Sequence, residues 1–271
     1  MIAVLRHLVY SVKLPKQTIL SYSSDNQSQN TEFEDIEQCS EEYDRIFAAK
    51  IEEKSDIEAT WAGKWKPAGL ESKKVLSIHN LQCHSAIFTK MLLNDKLLNA
   101  VSELIDSPNV VLHHTKAHIK PPEIGSPFPS HQDYHYFPFK DDSMVAVFIH
   151  LDDSDPENGG LAVFPGSHKL GPLENKSDVP THFYVDQEKF PLKNAVPVYA
   201  RKGQIVIFSY LLVHASYPNV SNRNRRMLLF QMMSADDKPL TNAHKSPCRD
   251  MVLRGINKNR DADHNKRHEK E

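Results

Sequence analysis

Residues 204–215 read QIVIFSYLLVHA, an apolar run of strand length that ends on a histidine. Ile205, Val206, Ile207 and Phe208 are β-branched or aromatic, side chains that suit a pleated and buried surface. Five runs of similar character lie around it: NVVLHHTKAHIK (109–120), HQDYHYFPF (131–139), MVAVFIHL (144–151), GLAVFPG (160–166) and RRMLLFQMM (225–233). Turn signals separate them, among them KPPEIGSPFPS (120–130), DDSDPENGG (152–160) and NVSNRN (219–224). Several short strands with no interleaved helices predict an all-β core, a sandwich or a barrel, over about 108–235.

Outward from that core the chain changes character. Ile87, Phe88, Met91 and Leu92, then Leu97, Leu98, Val101 and Leu104, keep helical spacing over 85–105, with an interruption at Asn94 and Asp95. Tyr43, Ile46, Phe47 and Ile51 predict an earlier helix, with Ser40 placed to cap it. The expected organisation is a flexible or poorly defined segment over 1–40, one domain over 41–256 with helices to about 106, and a charged tail over 257–271. No internal repeat and no glycine-rich phosphate loop is present.

Composition removes several classes. In 271 residues, 33 Lys+Arg against 35 Asp+Glu leave a net charge of −2. That balance argues against a nucleic-acid binder. No run approaches the ~18 apolar residues of a membrane span. Cys39, Cys83 and Cys248 are too few and too scattered for a disulfide framework and fit a reducing, cytoplasmic setting. The first 24 residues carry Arg6, Lys13 and Lys16 and no acid, which leaves a mitochondrial transit peptide as the alternative.

Fifteen histidines are present, and one pair stands out. Strand alternation would aim His131 and Asp133 at one face, so both could bind one metal. His214, at the end of its apolar run, is the best third ligand. Two histidines and a carboxylate form the facial triad of non-haem Fe(II) oxygenases. His150-Leu151-Asp152 offers a competing His-x-Asp, also at a strand end. Eleven residues after His214 comes Arg225, which a hairpin would return alongside His214. Arginine grips a carboxylate with two parallel bonds, and 2-oxoglutarate has a keto-acid end for iron and a far carboxylate for such a guanidinium. By alternation Arg226 would point outward. A zinc hydrolase using the same triad, or a binding module that kept the fold without catalysis, are the rival readings.

HQDYHYFPF, NGGLAVFPGSHK and VHAS, followed by Arg225, together resemble the phytanoyl-CoA dioxygenase family, over about Val75 to Gly255. The resemblance implies a double-stranded β-helix, or jelly roll, flanked by N-terminal helices. It implies an Fe(II)- and 2-oxoglutarate-dependent dioxygenase that uses O2, releases succinate and CO2, and takes ascorbate as reductant in vitro. By position, His131, Asp133 and His214 would hold iron. Arg225, Ser216 and Gln132 would contact 2-oxoglutarate, and His150-Leu151-Asp152 falls outside the metal motif. Lys116 stands where the family's namesake has an apolar residue, and Ile149 where an aromatic is expected. Some members resemble hypophosphite dioxygenases, so a phosphorus oxyanion is an alternative substrate.

For the substrate the sequence offers a cationic strand face. Alternation puts His114, Lys116, His118 and Lys120 on one side and His113 and Thr115 on the other. Pattern alone makes the cationic side a solvent face. The resemblance turns it toward the cofactor, which makes Lys116 a cofactor-binding candidate and implies a small anionic organic substrate. His135 shares the His131 face by the same alternation and is either a pocket or a supporting residue. Residues 166–196, rich in Pro, Lys and Asp, could serve as a lid or be an ordinary insertion.

Overall fold

The computed structural model describes residues 3–4, 20–22, 29–61, 64–65, 69, 73–241 and 246–261. Most of the basic N-terminal segment, and residues 262–271 of the tail, lie outside these. In chain order the strands are β1 (Ala3–Val4), β2 (Leu20–Tyr22), β3 (Leu76–His79), β4 (Val110–Lys120), β5 (Phe128–His131), β6 (Val145–His150), β7 (Leu161–Val163), β8 (Val196–Pro197), β9 (Ile205–Ser209), β10 (His214–Ser216), β11 (Arg225–Ser234) and β12 (Val252–Arg254). The helices are α1 (Gln29–Glu52), α2 (Ala86–Leu92) and α3 (Asp95–Leu104).

The strands form two sheets. The larger runs β1-β2-β9-β6-β11-β4-β12, with β3 also paired to β4; the smaller runs β5-β10-β7-β8. They make an open jelly roll and not a closed barrel. Alternation divides the larger sheet into two faces. Val145, Val147 and Ile149 of β6 and Leu228, Phe230 and Met232 of β11 pack with Ile36, Cys39, Tyr43 and Phe47 of α1 and with α2 and α3. Ala146, Phe148, Val206, Phe208, Met227 and Leu229 turn the other way and pack on Leu161 and Val163 of the smaller sheet. Both faces of β6 are covered, so its sequence is apolar without alternation. Ile149 therefore belongs to the helix side, and the aromatic that faces the smaller sheet is its neighbour Phe148.

Three expectations need correction. The expected flexible stretch is helical from Gln29 onward, and Ser40 lies inside α1 rather than capping it. Ile36 and Cys39, two turns and one turn before Tyr43, are already buried, so tertiary burial extends the helix through polar sequence. Strand alternation also fails at His113. The β4–β11 register slips between Gln231 and Met232, whose partners are His114 and Leu112. His113 is the extra residue of this bulge, and it turns to the side of His114, both rings lying against Phe137. Finally, β10 and β11 are no hairpin. His214 lies in the smaller sheet and Arg225 in the larger, and the chain between them crosses from one to the other.

The break between the later helices falls where expected. Asn94 caps α3, its side chain accepting from Leu97 N at 3.0 Å. The Asn158-Gly159-Gly160 turn is needed for two reasons. Gly159 has φ of +89°, and a Cβ there would stand 2.7 Å from Lys120 Cδ. The turn thus presses directly on a residue of the site.

Candidate metal centre and anion pocket

β5 delivers His131 at its last residue, and the chain then turns into a short 3-10 helix over Asp133–Tyr136. His131 and Asp133 meet through this strand-to-helix turn and not through strand alternation, which stops at His131. Opposite, β10 begins on His214, which pairs directly with His131. One ligand atom from each of the three residues lies within 4.8 Å of the others. His131 Nε2 and His214 Nε2 stand 3.7 and 3.9 Å from Asp133 Oδ1. Each imidazole is oriented by its own backbone. His131 Nδ1–H donates to Pro129 O at 2.8 Å, and His214 Nδ1–H to Leu212 O at 2.9 Å. That fixes the tautomer with both Nε2 lone pairs turned inward. Burial, and then the neighbouring His214, hold His131 well below the usual histidine range, which favours the neutral imidazole that a metal would need.

Asp133 has a partner that sequence reasoning missed. Gln231 Nε2 donates to Asp133 Oδ2 at 2.6 Å, leaving Oδ1 for a metal. Gln231 is fully buried and is the one polar residue within the apolar part of RRMLLFQMM, which is the signal that could have marked it. It shares a face with Arg225, six residues earlier. Loss of such an outer partner typically costs 10–100-fold in metal affinity. Gln231→Leu is expected to weaken Mn(II) binding by about that factor while the far-UV circular dichroism is unchanged; a titration of the two proteins checks it.

β11 and β4 set the rest of the pocket in register: Arg225 opposite Lys120, Met227 opposite His118, Leu229 opposite Lys116, and Gln231 opposite His114. The cationic face of β4 is therefore interior, contrary to a reading from pattern alone. Its outer edge is capped by β3 and its face by the smaller sheet. Lys120 is 1% exposed and Arg225 3%. Lys120 Nζ donates to Ser216 Oγ and to Tyr217 O, each at 2.6 Å, tying the two sheets together beside Arg225. Burial, and then the Arg225 charge, push Lys120 well below the usual lysine range. Burial alone brings Arg225 down to about 10. Arg225 Nε and Nη2 have no hydrogen-bond partner among the described residues. A buried guanidinium with unsatisfied N–H groups is costly unless an anion meets it.

The remaining expected residues sort by contact. Ser216 Oγ accepts from Lys120 and from Phe128 N, the latter at 3.3 Å, and Lys120 is the strand partner of Arg225. Lys116 lies on the same face; burial lowers its pKa, and the Asp133 carboxylate opposes part of that shift. Gln132 departs from expectation. Its Nε2 donates to Leu211 O at 2.6 Å and Gly171 O at 3.0 Å, and its Oε1 accepts from Leu173 N at 2.8 Å. Both N–H bonds are spent on backbone, so it pins the ligand turn to residues 171–173 and has no donor for a cofactor. His135 sits in the 3-10 turn with its ring against Phe183. Residues 166–196 are stitched to β5: Val185 N donates to Ser130 O at 3.0 Å, Gln187 Nε2 to Ser130 O at 2.8 Å, and Ser130 Oγ to Phe190 O at 2.7 Å. They cover the free edge of the smaller sheet. Trp61 brings a further ring to 4.5 Å from His131.

The competing motif separates cleanly. Asp152 holds Arg226 on the helix side, Nη2 to Oδ1 at 2.7 Å and Nε to Oδ2 at 3.0 Å, and Arg226 also pairs with Asp44 of α1. His150 faces the pocket, where burial and then Arg225 lower it to about 4.

Residues 29–227 match the family described as Phytanoyl-CoA dioxygenase (PhyH). The chain belongs to the phytanoyl-CoA dioxygenase family. A relative from Stutzerimonas stutzeri, named "Probable alpha-ketoglutarate-dependent hypophosphite dioxygenase", is 27% identical over 186 residues, 65% of this chain and 63% of that protein. The peroxisomal phytanoyl-CoA dioxygenase of Bos taurus is 32% identical over 213 residues, 72% of this chain and 60% of that protein. The chain thus spans about three-fifths of the length of these relatives. Among solved structures, the non-haem α-ketoglutarate-dependent carbocyclase SnoK aligns with a TM-score of 0.61 at 19% identity, over 87% of this chain and 89% of that one. The epimerase SnoN, solved with Fe3+, α-ketoglutarate and nogalamycin RO, gives 0.61 at 17%, over 82% and 88%. These two likenesses show the fold that this family member shares. No helix among the described residues is long and apolar enough to cross a membrane.

Proposed function

We propose that this family member is an Fe(II)- and 2-oxoglutarate-dependent dioxygenase acting on a small anionic substrate. The observation that carries the reading is the unpaired, buried Arg225 guanidinium on the same sheet face as the Gln231–Asp133 pair. The donor set fits the metal: two imidazole nitrogens and one carboxylate oxygen on one side, leaving positions for other ligands. The buried N–H groups of Arg225 fit the far carboxylate of 2-oxoglutarate, with Ser216 and Lys120 beside it. When bound, iron and 2-oxoglutarate supply the oxidation with O2, yielding succinate, CO2 and a hydroxylated product. The protein's share is placement. Pro129 O and Leu212 O orient the imidazoles, Gln231 holds the free oxygen of Asp133, and Phe148 and Phe208 keep water from the His214 side.

Lys116, between the metal centre and Lys120 along β4, supports an anionic substrate or cofactor end. The phosphorus-oxyanion alternative draws support from the hypophosphite-named relative, and a cationic pocket suits either anion. Lys116→Ala is expected to raise the KM of the substrate by roughly tenfold, the scale of one charge-assisted hydrogen bond; an unchanged value would remove Lys116 from recognition. The reading as a whole is tested by succinate release from 2-oxoglutarate with Fe(II) and ascorbate under air, over a panel of carboxylates, CoA esters and hypophosphite. A non-catalytic binding module would bind 2-oxoglutarate without turnover. A zinc hydrolase would need neither 2-oxoglutarate nor O2.

A further inference from the structure

Far from the metal centre two thiols stand face to face. Cys83 Sγ and Cys248 Sγ are 3.9 Å apart, although 165 residues separate them in sequence. Both are free thiols; Cys83 is exposed and Cys248 half-buried, whereas Cys39 is sealed inside the helical layer. The approach is built by the fold. Cys83 ends the short 3-10 turn Leu81–Cys83, which is held to β4: Leu81 N donates to Thr115 Oγ1 at 2.7 Å and Asn80 N to Thr115 O at 2.9 Å. Cys248 lies in the turn before β12, held to the same strand, Asp250 N to Leu112 O at 2.8 Å and Leu112 N to Met251 O at 2.9 Å. The two turns also touch each other, Ser246 Oγ donating to Asn80 Oδ1 at 3.0 Å. A bonded pair has sulfurs about 2.05 Å apart, so closure asks for about 2 Å of approach between two sulfurs whose backbones are already anchored side by side.

We propose that Cys83 and Cys248 are a site of reversible disulfide formation that locks the C-terminal turn and β12 to the 3-10 turn beside α2. The oxidant class is a small-molecule disulfide. The Cys83 thiolate attacks one sulfur of that disulfide; its S–S bond breaks, one thiolate leaves, and a mixed disulfide forms on Cys83. Cys248, its proton given to solvent, then attacks the Cys83 sulfur and expels the second thiolate. Two protein thiols lose two electrons and two protons, and the small disulfide is reduced to two thiols. Cys83 is the entry point because it is the exposed member. Partial burial of its sulfur, and then its shared proton with Cys248, raise its pKa, so the exchange quickens as the pH rises. The closed loop would contain β4 to β11, the strands that carry the metal triad and Arg225. This site is independent of the oxygenase reading.

The full-length chain incubated with oxidised glutathione at pH 8.5 provides the test. A digest run without reductant should contain the Cys83 peptide linked to the Cys248 peptide, lost on adding dithiothreitol, with Cys39 unmodified. The oxidised protein should melt roughly 5–10 °C above the reduced one, the range a long-loop disulfide gives in a domain of this size, and Cys83→Ser should abolish the shift. Cys248→Ser should stop at a stable glutathione adduct on Cys83. Glutathione persisting on Cys83 of the wild-type chain, disulfide-linked dimers, or thiols left unreacted would overturn the proposal.

Discussion

Asp133→Ala is expected to lose metal binding and all 2-oxoglutarate turnover, whereas Asp152→Ala keeps both. Asp133 Oδ1 is the third donor beside two oriented imidazoles, and two nitrogens alone make a poor site for a hard divalent ion. The loss should exceed the 10–100-fold expected for Gln231, since the ligand itself is removed rather than its support. Asp152 has the same His-x-Asp spacing but spends its carboxylate on Arg226. Its removal should cost stability on the order of 1 kcal/mol and leave the metal untouched. Titration with Mn(II), followed by water-proton relaxation, separates the two variants without requiring a substrate. Metal retained by Asp133→Ala and lost by Asp152→Ala would reverse the assignment of the triad.

Arg225→Ala should raise the dissociation constant of 2-oxoglutarate by roughly a hundredfold or more, with Mn(II) affinity unchanged. The environment of the side chain sets the size of the effect. Its charge is buried, and among the described residues no carboxylate forms an ion pair with it and Nε and Nη2 are unpaired. Truncating one member of a buried, hydrogen-bonded charge pair costs about 2–5 kcal/mol. Arg225→Lys should recover only part of the loss, because an ammonium cannot offer two parallel bonds. Calorimetry with the redox-inert Mn(II) protein measures both. Binding that is indifferent to Arg225 but lost in Lys120→Met would move the far carboxylate to the neighbouring lysine, which already donates to Ser216.

The parts of this protein that were legible in the sequence are those that local physics repeats along the chain. Apolar runs of strand length, turn residues between them and the helical spacing over 85–105 followed from side-chain type alone. So did the candidate set His131, Asp133, His214 and Arg225, because a chelating spacing and an arginine in step are visible without coordinates. Reasoning from alternation stopped at the points where tertiary structure breaks the period. Asp133 comes round on a 3-10 turn, His113 is bulged, and α1 begins in polar sequence because Ile36 and Cys39 have a sheet to lie on. The family resemblance made Gln132 a cofactor contact, yet backbone carbonyls on two distant segments claim its amide.

What only the tertiary structure decided is which groups share an interior. Strand pairing sets Lys120 against Arg225 across β4 and β11, and the facing sheet supplies Ser216 to accept from Lys120. A cationic stripe that any pattern would leave in water is thereby enclosed. The same enclosure leaves Asp133 with Gln231, sends Asp152 to Arg226 on the opposite face, and brings Cys83 to Cys248. The sequence determines the chemistry each residue can perform, since that is a property of the side chain. Which charges lie buried without a partner is a property of the packed sheets, because desolvation and pairing are decided by neighbours far away in the chain.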